Sequence, residues 1–184
     1  IVTCDNGIAA SREIAYGKSL GMTVIVTDHH EIPYEETEGK KRYHLPPADA
    51  VIDPKQKDCD YPFSGLCGAT IAYKLIEALG EAMGRDEEDF DDLIENVAIA
   101  TVGDVMDLEG ENRILVREGL QMLGRTSNLG LKALMECTGI DRRRVNAYHI
   151  GFVLGPCLNA SGRLDTAKRA LNLLRSKSEK EAAL

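Results

Sequence analysis

Three short apolar runs, and what separates them, constrain this chain most. The first is Ile1-Val2-Thr3-Cys4, the second Thr23-Val24-Ile25-Val26-Thr27, and helical spacing (Ile8, Ile14, Ala15, Leu20) lies between them. Both runs are apolar almost throughout rather than alternating, as strands buried on both faces are. Asp5-Asn6-Gly7 reads as a turn into the helix, and Gly21 stands where a helix C-cap would be. Parallel strands need a crossover connection, usually a helix, so strand–helix–strand implies a parallel sheet covered on both sides. A third run, Ala50-Val51-Ile52, is stopped by Asp53-Pro54. The fold class is therefore α/β, a parallel sheet flanked by helices.

The connection over residues 31–47 is a polar loop punctuated by Pro33, Gly39, Pro46 and Pro47, and residues 55–64 form another. Beyond them the spacing predicts helices over residues 68–79, 89–101, 112–123 and 129–137. An apolar stretch at 145–154 then leads into Gly155-Pro156, and a last helix begins near Asp165. The C-terminal part is thus mainly helical.

Composition excludes several classes. Hydrophobic residues make up 43% and charged residues 28% of the 184, ordinary for a globular protein. No apolar run approaches the roughly 20 residues a bilayer span needs, so no membrane association is expected. The five cysteines are scattered and none forms a Cys-x-x-Cys pair, against a zinc ribbon or a disulfide scaffold. Free thiols suit a reducing cytoplasm. A chain that opens inside a strand, with Ile rather than Met, reads as a piece of a longer protein. The net charge is −8, yet residues 138–184 hold nine Lys/Arg against four Asp/Glu. A basic stretch beside an acidic remainder suits a polyanion held on one side and a metal on the other; solvated helix faces would look the same.

Ligands of a parallel sheet bind outside the carboxyl ends of its strands. Asp5 and Asp28 each stand there as the first polar group after a buried run, and His29 and His30 follow at once. Adjacent residues of an extended segment point to opposite sides, so one imidazole could bind metal while the other faces substrate. Farther along, an apolar helix delivers Gly103 and then Asp104. Carboxylates with imidazole favour Mn²⁺ or Mg²⁺ over thiolate-seeking metals, and two such ions would activate water and neutralise a phosphoryl group. A lone Asp after a strand is more often a turn or a cap. Asp28-His29-His30 has no good packing explanation, because burying those groups needs partners.

Val24-Ile25-Val26-Thr27-Asp28-His29-His30 resembles the signature of the DHH phosphoesterase superfamily. Thr3-Cys4-Asp5-Asn6-Gly7-Ile8 resembles its second motif, and residues 100–108 around Asp104 its fourth. Residues 60–69 and Gly155-Pro156-Cys157-Leu158-Asn159-Ala160-Ser161-Gly162-Arg163 resemble stretches of the RecJ family of single-strand-specific 5′-to-3′ exonucleases. The resemblance implies two-metal hydrolysis of single-stranded DNA in repair and recombination, with Mn²⁺ or Mg²⁺ as cofactor and other repair proteins as partners. It implies that Asp5 bridges two ions and that His29 and Asp104 ligate one of them. Asp28 would orient a histidine, and His30 would lie against metal or the scissile phosphate. Asn159 and Arg163 would contact phosphate or nucleotide.

Two departures stand out. The family's first motif, an Asp-x-Asp on the first strand, is absent from this sequence, so the chain alone is expected to bind one ion poorly and to be inactive. Position 157 is Cys where many relatives carry a basic residue. Residues 1–164 would form the DHH domain, and 165–184 would begin a linker helix toward a further domain. Two other readings stay open: a DHH phosphodiesterase acting on short oligoribonucleotides or cyclic dinucleotides, and a non-catalytic nucleic-acid-binding relative.

Overall fold

The computed structural model describes residues 1–164 and 166–183, with the side chains of Glu87 and of residues 161–164 outside that description. The chain divides into two compact units, Ile1–Asp86 and Glu87–Leu184.

In the first unit the apolar runs lie side by side and parallel. Strand β1 (Ile25–Thr27) pairs in parallel with β4 (Ala50–Ile52), Ile25 opposite Ala50 and Thr27 opposite Ile52. On its other side the first run joins through a parallel bridge between Val2 and Ile25. Two further bonds continue that ladder: Thr3 N–H donates to Ile25 O at 2.9 Å and Asp5 N–H to Thr27 O at 3.0 Å. Helix α1 (Ser11–Ser19) crosses between them and packs Ile14 against Val24 and Val26. The expected α/β arrangement is therefore present, with the first run a bridged edge rather than a full strand.

The expected loop at 31–47 contains a hairpin, β2 (Tyr34–Thr37) with β3 (Lys40–Tyr43). Its turn, Glu38-Gly39, has positive φ at both residues (51° and 73°), the geometry that matches the twist of a two-residue hairpin. Glu35 faces Arg42 and Glu36 faces Lys41, and Tyr34 stands opposite Tyr43. Opposite charges and paired aromatics across a ladder stabilise it without a buried face. All eight residues are exposed, so no apolar alternation marked them. Helix α2 (Gly68–Ala82) closes this unit.

The second unit is helical. A 3₁₀ segment (Glu87–Leu93) leads into α3 (Ile94–Gly103), followed by α4 (Gly110–Leu123) and α5 (Leu129–Cys137). A Cβ at Gly119 would lie 2.4 Å from Ala98 Cβ, so α3 and α4 cross where glycine removes the side chain. Leu123, Leu131, Met135, Ile150 and Leu154 form the core. Asn128 caps α5 by accepting the Leu131 N–H at 3.0 Å.

The helix does not stop at Gly155-Pro156. It runs from α6 (Ala147–His149) through a π turn (Ile150–Leu154) into α7 (Gly155–Leu164). Proline has no N–H and its ring crowds the carbonyl four residues back, here Phe152. A widened turn relieves that contact without ending the helix. The last expected helix is two pieces, α8 (Lys168–Leu174) and α9 (Glu179–Ala182). Ser178 accepts the Glu181 N–H at 3.2 Å and restarts the chain as a new cap. Among the described residues no helix is long and apolar enough to cross a membrane.

Candidate metal centre

Asp28 is the first polar group beyond β1 and is 1% exposed. Its position continues the sheet, because its N–H donates to Ile52 O at 3.0 Å. Its carboxylate is surrounded by donors. Oδ2 accepts the Ile8 N–H at 2.9 Å, and Oδ1 accepts the His29 and His30 N–H groups at 2.8 and 3.3 Å. Oδ1 also meets His30 Nδ1 at 2.6 Å. Burial by itself would raise the Asp28 carboxyl. The hydrogen bonds from Ile8 N–H, the His30 ring, and the N–H groups of His29 and His30 outweigh it and hold the carboxyl below its ordinary value. Asp28 is thus an anchored anion that orients His30, with its oxygens already occupied.

The two histidines do not diverge. Regular strand geometry ends at Thr27, so the alternation expected for adjacent residues no longer applies. His29 is 7% exposed and places Nε2 at 3.0 Å from Asp5 Oδ1. The His30 side chain is 59% exposed, held through Nδ1 to Asp28, and its ring centroid is 4.6 Å from that of His29. Asp5, His29 and His30 each offer one ligand atom, all within 4.8 Å of one another.

Asp5 enters this cluster on a left-handed backbone, φ 61°. Aspartate tolerates that conformation better than most residues, and such outliers gather at functional sites. Helix α2 begins against it. A Cβ on Gly68 would fall 2.5 Å from Asp5 Cβ and Oδ1 and 2.7 Å from its Cα. The helix N-terminus carries partial positive charge, which favours a carboxylate there. Cys4, next door, is kept a neutral thiol: burial and then the negative charge of Asp5 push it up. It adds no thiolate to the site.

A carboxylate with two imidazoles suits a borderline divalent ion, and the oriented His30 matches the usual support of a metal-bound ring. The residues present therefore fit Mn²⁺, and Mg²⁺ less closely because of the two nitrogens.

Asp104, Asn159 and Arg163 belong to the second unit. Asp104 is exposed just past α3, and its N–H donates to Ala100 O at 2.8 Å. Val105 follows at φ 57° and 87% exposed, a strained conformation for a β-branched residue. Asn159 is exposed on α7. The Arg163 side chain lies outside the described residues.

Two residues with no role assigned from sequence stand at the centre. Gly68 is one. Asp53 is the other, 2% exposed at the end of β4, with Oδ1 accepting the Lys55 N–H at 2.8 Å. It obeys the same strand-end rule that singled out Asp5 and Asp28.

The family model for the DHH family, N-terminal domain, matches residues 1–101. The chain belongs to the DHH family. Among its DHH relatives, the single-stranded-DNA-specific exonuclease RecJ of Bacillus subtilis is 43% identical over 183 residues, 99% of this chain and 21% of that protein. The Escherichia coli RecJ is 38% identical over 95% of this chain and 30% of its own length. This DHH chain thus spans about a fifth to a third of the curated relatives it matches. Two crystal structures are similar to it. An exonuclease RecJ bound to manganese gives a TM-score of 0.79 at 35% identity over 98% of this chain and 43% of that one. The Thermus thermophilus RecJ complex with Mn²⁺ gives 0.78 at 33% identity over 99% and 26%.

The low-lying Asp28 carboxyl ties stability of this DHH chain to pH. A group whose folded value is depressed contributes stability above its unfolded value, near 4, and loses it as pH falls through the folded value. Thermal melts from pH 7 down to 2 should show wild type declining most steeply below about pH 4. Asp28→Asn should melt lower at pH 7, by about 2 kcal/mol for the lost charge-assisted bonds, and show a flatter acid limb.

Proposed function

We propose that the protein carrying this chain hydrolyses phosphodiester bonds of single-stranded DNA from the 5′ end, using Mn²⁺ or Mg²⁺, in DNA repair and recombination. The observation that carries the reading is the Asp5–His29–His30 cluster, with all ligand atoms within 4.8 Å. The exonuclease names of relatives at 38–43% identity, and the manganese in the similar crystal structures, support its substrate and cofactor.

In this reading Asp5, His29 and Asp104 hold the metal. When bound, the ions supply an activated water and neutralise charge on the phosphoryl group. Asp28 fixes the ring of His30, so that the exposed edge of that ring is presented to the reacting phosphate. Asn159 and Arg163 grip the strand through its phosphates, Arg163 with a planar fork suited to them. The DHH domain spans residues 1–164, the first compact unit and the second as far as residue 164, with 165–184 starting a linker. The five free cysteines favour a reducing compartment, the cytoplasm, and other repair proteins are the partners such an activity would meet.

Full-length protein with Asp104→Ala tests this. Mn²⁺-dependent release of mononucleotides from a 5′-labelled single strand should fall by about 10²-fold or more, the scale for losing one charge-stabilising group. Intact activity in the variant would remove Asp104 from the centre. Wild-type preference for a dinucleotide over a long single strand would overturn the substrate assignment.

A further inference from the structure

The helix that runs through α6, the π turn and α7 has a core side and an aromatic side. Ile150 and Leu154, four residues apart, are fully buried in the core of the second unit. Tyr148 and Phe152, also four apart, face out: Tyr148 is 63% exposed and Phe152 71%. Residues at that spacing are neighbours on a helix, and here the rings stack, with centroids 4.9 Å apart and 28° between their planes. An amphipathic helix ordinarily carries polar residues on its outer side. Phe152 also falls within the π turn, and such widened turns recur at functional sites.

The local structure fixes this pair and surrounds it with positive charge. The His149 ring meets Tyr148 edge-on, centroids 6.0 Å apart. Its Nδ1 accepts the Asn146 N–H at 3.3 Å, while Asn146 Oδ1 accepts the His149 N–H at 3.2 Å. This reciprocal cap holds the turn that carries Tyr148. Just before it lies the 3₁₀ turn Arg142–Arg144. Over residues 137–164 the sequence sets Arg142, Arg143, Arg144 and Arg163 against one acid, Asp141. Asp141 reaches the exposed Arg143 at 3.5 Å and Arg144 at 4.0 Å, and exposed pairs of that length hold little. Flat apolar faces bordered by guanidinium groups match a base with its phosphate. A single strand offers both at every step, whereas a duplex keeps its base faces stacked inside. An apolar protein segment would match the rings and leave the arginines unanswered.

We propose that Tyr148 and Phe152 form a base-stacking platform for single-stranded DNA, with Arg143 and Arg144 drawing in its backbone; the proposal rests on the substrate reading above. Bases outside a duplex stack on aromatic faces, and guanidinium groups take the phosphates. Every base has a π face, so the contact tolerates any sequence, as an enzyme that digests a strand base by base requires. Asn159 is exposed on the same helix, seven residues past Phe152 and about 10 Å along it. The platform thus shares its helix with a residue proposed to grip the strand.

The test is equilibrium binding of labelled oligo(dT) by the full-length protein in EDTA, where the strand stays intact. Phe152→Ala and Tyr148→Ala should each weaken binding by about tenfold, the scale of one lost base–aromatic stack. Their salt dependence should match wild type, because no phosphate contact is removed. Arg144→Ala should instead lower the slope against salt by about one. Phe152→Tyr should keep most of the affinity. An abasic strand has the phosphates without the bases: wild type should bind it weakly, and the alanine variants should bind it as wild type does. Melting temperatures should stay at the wild-type value, since neither ring packs into the core. Unchanged oligo(dT) affinity in both alanine variants, or an equal loss on the abasic strand, would overturn the proposal. A lower melting temperature with unchanged DNA binding would also overturn it, and would show that another segment of the protein covers the rings. If the alanine variants do not fold, Phe152→Leu decides: it keeps an apolar side chain without a π face and should lose affinity as alanine would. A wild type that binds no single strand would sink the substrate reading together with the platform. One that binds and cleaves but ignores these substitutions would sink the platform alone.

Discussion

Asp5→Asn in the full-length protein is expected to abolish tight Mn²⁺ binding at the Asp5–His29–His30 cluster and to slow single-strand hydrolysis by about 10²–10³-fold. Asparagine is the informative replacement. It accepts the left-handed backbone that Asp5 adopts at φ 61°, so the turn into α1 survives. It keeps the shape and removes the charge that faces His29 Nε2 at 3.0 Å. Melting temperature should therefore change little while Mn²⁺ titration and strand cleavage collapse. A variant that cleaves at the wild-type rate would show that the cluster is not where the ion acts.

The second large effect comes from a single methyl group. Gly68→Ala would put a Cβ 2.5 Å from Asp5 Cβ and Oδ1 and 2.7 Å from Asp5 Cα. Two of those atoms belong to a short side chain and one to a strained backbone, so nothing nearby can give cheaply. Overpacking of this kind costs roughly 1–3 kcal/mol, and here the displaced group is Asp5, a ligand in the proposed metal centre. Mn²⁺ affinity should fall by about tenfold or more, the ratio that ~1.4 kcal/mol carries, together with a lower melting temperature. A folded Gly68→Ala protein with unchanged Mn²⁺ affinity would mean that α2 can shift away from Asp5 at no cost to the centre.

These two residues show what the sequence can and cannot disclose. Asp5 and Asp28 were legible because the first polar group after a buried parallel strand has a known location in space. Asp53 followed the same rule, but the proline after it made a turn the simpler account. Gly68 was quoted within a motif without a role, since its importance is a distance to a residue 63 positions earlier. The histidine pair was legible as chemistry and not as geometry: alternation predicted opposite sides, and the chain leaves strand geometry at Thr27. Helix α5 was found at its full extent because Asn128 caps it and its apolar spacing is regular. The hairpin at residues 34–43 was not, because it buries nothing. The π turn before Pro156 was hidden for another reason: Gly-Pro ordinarily ends helices, and only the surrounding core holds this one together.

Asp28 accepts its farthest hydrogen bond from Ile8, 20 positions away, and Asp5 meets His29 across 24. The entropy of closing a loop grows only with the logarithm of its length, so these are inexpensive closures. Contacts this local form early relative to long-range pairings. The cluster can therefore take shape while a growing polypeptide is still being synthesised, before Asp104 exists. In the proposed reading Asp104 is a ligand recruited from beyond these local closures.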